Sequence, residues 1–154
     1  ALGLEVHGHA ELFEVGGPLD WSGDDADPRR AHPGSAAADL SALTPRLVLP
    51  SQAQQDGWWA GPVEAGPQSV ARAARVVAWL RERYARSDEV VALVSHEGFS
   101  QVLFRELLGI PAVGGWIDLN NTGGTYFRAV DTPGRTSVAW TNRTTHLTSD
   151  QISG

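Results

Sequence analysis

Val90-Val91-Ala92-Leu93-Val94-Ser95-His96-Glu97-Gly98-Phe99 opens as an unbroken apolar run and stops at Ser95-His96. An apolar pattern at helical spacing, Phe99, Val102, Leu103 and Leu107, begins almost at once. Together they predict a buried strand over 89–95 handing over to a helix over 98–108, with a histidine at the junction. Gly109-Ile110-Pro111 ends that helix. In an open α/β sheet, ligands bind at the carboxyl ends of the strands. The first turn of the following helix offers unpaired N–H groups and a positive dipole end, which suit an anion. His96 is therefore placed for phosphate chemistry, and Gly98 lets the chain turn close to a bound anion.

Outward from this junction, Pro67–Arg86 is the clearest helix. Pro67 fits its first position, and Val70, Ala73, Val77, Leu80 and Tyr84 form one stripe. The arginines between Arg72 and Arg86 are assigned to its solvated polar side, where Glu82 and Arg86 form an i, i+4 pair. Gly3 reads as a helix stop, followed by a short strand over Leu4–Ala10. Residues 14–33 turn to Gly, Pro, Asp and Ser, with Gly16-Gly17-Pro18, Gly23-Asp24-Asp25 and an apolar Trp21 among them. Ser35–Leu43 predicts a short helix stopped by Pro45, and 44–66, which holds Gly57-Trp58-Trp59, is irregular. The whole excursion, 15–66, is expected to act as a lid within the domain. Trp58 and Trp59 could line such a lid over an apolar part of a substrate, or pack the excursion onto the body. Trp116–Leu119 is expected to be extended. Thr122–Val130 and Thr136–Thr141 are read as strands joined across Asp131-Thr132-Pro133-Gly134. The order predicts a single α/β domain over 1–154, a three-layer α/β/α sandwich with a mostly parallel sheet and an antiparallel edge.

The bulk composition narrows the function classes. A chain of 154 residues, 42% hydrophobic, makes one domain with its own core. The absence of cysteine excludes disulfides, thiolate metal sites and a cysteine nucleophile. Neither a membrane-length apolar run nor a signal-peptide pattern is present, since Glu5, His7 and His9 interrupt the start, so a cytoplasmic location is expected. The formal charge is −6, with twelve arginines and no lysine, which argues against a nucleic-acid partner.

Two familiar motifs fail at His96. A His-Glu-x-x-His zinc site needs histidine where Ser100 stands, and a Gly-x-Ser-x-Gly elbow around Ser95 needs glycine at Leu93 and Glu97. A hydrogen-bonded core histidine is the ordinary alternative. If functional, His96 either donates to a phosphoryl group or shuttles a proton. Its best carboxylate partner is Glu14, in Glu11-Leu12-Phe13-Glu14-Val15-Gly16-Gly17, where two glycines open a loop. An ordinary surface glutamate is the competing reading there.

The block from Val91 to Gly109 resembles the second-histidine motif of the histidine phosphatase (phosphoglycerate-mutase-like) superfamily. Glu11-Leu12-Phe13-Glu14 resembles its acid loop, and Gln68-Ser69 its Glu-Ser helix start, with glutamine in place of the usual glutamate. Asn120-Asn121-Thr122 and Asn142-Arg143-Thr144-Thr145-His146-Leu147 are similar to its C-terminal pattern. The resemblance implies a phosphoglycerate-mutase-like sandwich and a phosphoryl transfer that uses no metal and no cofactor. In that chemistry one histidine attacks phosphorus and becomes a phosphohistidine, which water or a second substrate discharges. His96 maps to the phosphate-binding second histidine, Glu14 to the acid that protonates the leaving alcohol, and the Glu97 N–H lies beside the phosphate. The implied partner is a small phosphorylated substrate.

The nucleophile of this pattern sits in an Arg-His-Gly strand end, which the chain does not contain. Val6-His7-Gly8 is its nearest match, and His7 is read as an ordinary strand residue. The expectation is that about 45–50 residues precede Ala1 in the native domain and carry the nucleophile and two phosphate-binding arginines. Three functions follow in order: a phosphomonoester hydrolase, a non-catalytic phosphate-binding or regulatory relative, and a mutase-type phosphotransferase. An unrelated α/β binding module is the remaining alternative.

Overall fold

The computed structural model describes residues 3–19, 30–43, 45–51, 56–111, 114–129 and 135–154. Strand β1 (Val6–His7) is followed by helix α1 (Ala37–Leu43), strand β2 (Leu47–Val48), helices α2 (Gly66–Tyr84) and α3 (Glu97–Leu108), and strands β3 (Gly124–Ala129) and β4 (Thr136–Arg143). β1 pairs with β2 in parallel, Val6 opposite Leu47, while β3 and β4 form an antiparallel pair with Phe127 opposite Val138. The fold is α/β, with parallel and antiparallel pairs and flanking helices, as the element order predicts. Trp21, Gly23-Asp24-Asp25, the helix end before Gly3 and the turn at 131–134 lie outside the described residues.

The core sits between α2 and α3. Ala73, Val76 and Val77 of α2 meet Phe99 and Leu103 of α3, and Leu12, Val15, Leu80, Leu93, Val102 and Leu107 pack around them. The α3 stripe lies where its spacing places it. The α2 stripe is turned by about one position: Val70 is exposed, and Ser69, Arg72, Ala73, Val76 and Val77 face inward. The assignment of the arginine series to a solvated face therefore fails at its first member. Arg75, Arg81, Arg83 and Arg86 are exposed, but Arg72 is buried.

Local chemistry sets the helix ends. Gln68 Oε1 accepts the Ala65 N–H at 2.7 Å, satisfying one donor at the start of α2. Gly109, at φ 64°, closes α3 in the left-handed conformation that glycine adopts without steric cost.

Residues 88–96 differ from expectation. They form no β-ladder, and Val90 and Val94 are 81% and 87% exposed. A strand exists only where a neighbouring backbone takes its N–H and C=O groups, and no described segment does so along 89–95. One tether holds its end, Ser95 Oγ donating to the Leu12 carbonyl at 3.0 Å. Residues 116–119 are held by side chains instead of a strand. Gln101, buried in α3, donates to the Ile117 carbonyl at 2.7 Å and accepts the Ile117 N–H at 3.0 Å. The β3–β4 pair reaches α3 through Phe127 against Phe104, with ring centroids 4.9 Å apart.

Candidate functional site

His96 is the N-cap of α3, with extended backbone (φ −116°, ψ 162°), and its carbonyl accepts the Ser100 N–H at 2.9 Å. The cap position leaves the first N–H groups of the helix without intrahelical acceptors. Two of them are taken by Glu14. Its Oε1 accepts the Phe99 N–H at 2.8 Å and its Oε2 accepts the Gly98 N–H at 3.1 Å. Oε1 also accepts the N–H of Val15 at 2.7 Å. The carboxylate thus sits on the positive end of the α3 dipole, held by charge-assisted hydrogen bonds.

The two residues singled out from distant sequence positions are brought together at one helix start. The anion at that start is Glu14 itself. Gly98 permits the approach: a Cβ there would stand 2.6 Å from Glu14 Oε1.

The five histidines separate by their partners. His7 lies in β1 with Nε2 3.5 Å from Glu5, and His9 Nδ1 accepts the Glu11 N–H while its ring faces Trp79. His32 Nδ1 accepts the Gly34 N–H, and His146 Nε2 bonds Thr122 Oγ1. The exposed His96 ring has no hydrogen-bond partner among the described residues. The hydrogen-bonded core histidine is therefore not what the fold makes of it. The Glu97 side chain turns away along α3, accepting from Trp116 Nε1 at 2.9 Å and from the Leu119 N–H at 3.4 Å.

Behind Glu14 lies an ion pair that sequence reasoning missed. Arg72 Nε and Nη2 donate to Glu64 Oε1 and Oε2 at 2.8 and 2.7 Å, a bidentate pair buried on both sides. Arg72 Nη1 donates to the carbonyls of Glu11 and Phe13 at 2.8 and 2.9 Å. The rings of Phe13 and Phe99 lie against the guanidinium, each centroid 3.7 Å from Cζ. The available signal was positional. Arg72 falls three residues after Ser69 and four before Val76, on the inward stripe, and an arginine there requires a buried partner. Glu64, four residues before Gln68, supplies that carboxylate, while Gln68 serves only as a local cap.

Trp58 and Trp59 of the 15–66 excursion pack onto the same loop. Both cluster with Phe13, Trp59 edge-on at 4.6 Å, and the backbone N–H of Trp59 donates to the Pro33 carbonyl. The two C-terminal blocks also meet, Asn142 Oδ1 accepting the Asn120 N–H at 2.8 Å. Among the described residues no group of three metal-ligating side chains gathers, and no helix is long and apolar enough to cross a membrane.

No curated protein and no solved structure matches the chain. Residues 4–143, which include the Glu14 turn, the Arg72–Glu64 pair and the His96 cap, match the histidine phosphatase superfamily, branch 1. The chain belongs to that superfamily.

Proposed function

We propose that this chain carries the phosphate-binding and proton-donating half of a phosphomonoester hydrolase. His96 and the Glu97 N–H hold the phosphoryl oxygens, and Glu14 protonates the leaving alcohol. The attacking histidine comes from outside these 154 residues. It displaces the alcohol from phosphorus, and water then cleaves the phosphohistidine to inorganic phosphate. The observation that carries this reading is the juxtaposition at α3: an exposed imidazole at the cap with no hydrogen-bond partner among the described residues, beside a carboxylate seated on the next N–H groups. A fixed donor set of this kind stabilises developing charge without reorganisation.

The bonding of Glu14 distinguishes its two oxygens for that role. Oε1 already accepts two N–H groups, whereas Oε2 accepts one. Oε2 is therefore the oxygen with room to carry and release a proton.

Turnover of p-nitrophenyl phosphate by the protein expressed from its whole gene tests the proposal. His96→Ala and Glu14→Ala should each lower kcat/KM by about 10²–10³-fold. Unchanged turnover in both variants would refute the site. The 154-residue chain alone should turn over nothing. An in-frame Arg-His-Gly upstream of the codon for Ala1 supports the external nucleophile, and a start codon in its place sinks it in favour of a non-catalytic phosphate binder.

A further inference from the structure

We propose that Arg72 is the positioning residue for Glu14, its guanidinium locking the turn that bears the carboxylate onto the first turn of α3. The importance of that lock for turnover rests on Glu14 acting as the acid; the lock itself does not. Arg72 is 1% exposed, and four of its five N–H donors are engaged: two by Glu64, one each by the Glu11 and Phe13 carbonyls.

Phe13 is the residue immediately before Glu14, so its carbonyl belongs to the peptide that leads into the acid. Phe99 supplies the N–H that Glu14 Oε1 accepts. The rings of these same two residues rest on the guanidinium. Two rings cannot share one face at that distance, so they clamp it from opposite sides. Glu14 is thereby closed in a circuit, its backbone pinned through Phe13 and its carboxylate through Phe99, with Arg72 completing the loop from behind. Glu64 sets the roll of the guanidinium plane by its bidentate grip. A lysine can supply charge here, but neither a plane to stack nor a fork to hold a carboxylate and two carbonyls together.

A role confined to stability predicts a different result from a positioning role. The amides of Val15, Gly98 and Phe99 all donate to Glu14, so their hydrogen exchange, read by NMR on the 154-residue chain, reports whether the carboxylate is in place. Arg72→Lys should lower their protection about tenfold more than that of the β3–β4 ladder amides. Glu64→Gln, which weakens the grip on Arg72 but keeps an acceptor, should do the same to a smaller degree. It carries the test by the same criterion if Arg72→Lys does not fold. A loss spread evenly over site and ladder amides, or no loss, overturns the proposal. In the whole-gene protein, Arg72→Lys should lower kcat with little change in KM. If Glu14→Ala leaves turnover intact while Arg72→Lys still frees these amides, the acid assignment fails and the positioning role stands. The converse pattern removes the positioning role alone.

Discussion

Upstream of His96, residues 88–94 have no ladder partner and leave Val90 and Val94 bare; downstream, the first turn of α3 is bonded at Gly98 and Phe99 and backed by a buried guanidinium. The upstream segment is the more apolar of the two and the less embedded. Apolar side chains bring a segment inside only when something covers them, whereas the α3 start is held by directional bonds to groups in reach. The position of His96 is thus inherited from the helix that follows it, together with the Ser95 tether to the Leu12 carbonyl.

The contrast breaks first at Arg72. Arg72→Met leaves the Glu64 carboxylate buried without its partner and should destabilise the chain by about 3–5 kcal/mol, measured by urea unfolding. Gln101→Leu comes next. It strips both hydrogen bonds from Ile117 and should cost about 1–3 kcal/mol, with exchange rising over 114–119 and not at Gly98.

Gly98→Ala sharpens the comparison. Helix propensity alone favours alanine by about 1 kcal/mol. The added Cβ displaces Glu14 Oε1, so the net change should be a loss of about 1 kcal/mol that becomes a gain in a Glu14→Ala background. A double-mutant cycle measures this reversal. The smallest effect belongs upstream: Val90→Thr and Val94→Thr should stay within about 0.5 kcal/mol of the parent. A larger loss in either would mean that these side chains are covered in solution.

The start and stop of α3 were legible in the sequence because both depend on neighbours in the chain: the apolar spacing from Phe99 and the glycine at 109. Glu14 and His96 were legible as a pair through chemistry and resemblance, and the fold sets them at one helix start. Arg72 was not legible as a buried group. On a helix that also carries three exposed arginines, one position of rotation separates a solvated face from the core. The partners that decide it, Glu64 and the Phe13 carbonyl, lie eight and fifty-nine residues away. The segment 89–95 shows the opposite error, since its composition is that of a buried strand while its partners are not among the described residues.

By itself the sequence determined the helices, the histidine at the cap, the superfamily and the absence of any cysteine chemistry. These follow from local periodicity, capping residues and motif order, each readable along the chain. Only the tertiary structure decided which anion sits on α3, which arginine is buried, and which valines are left bare. Each of those depends on groups far apart in sequence competing for one place, and that competition is settled by packing and by satisfaction of buried hydrogen bonds.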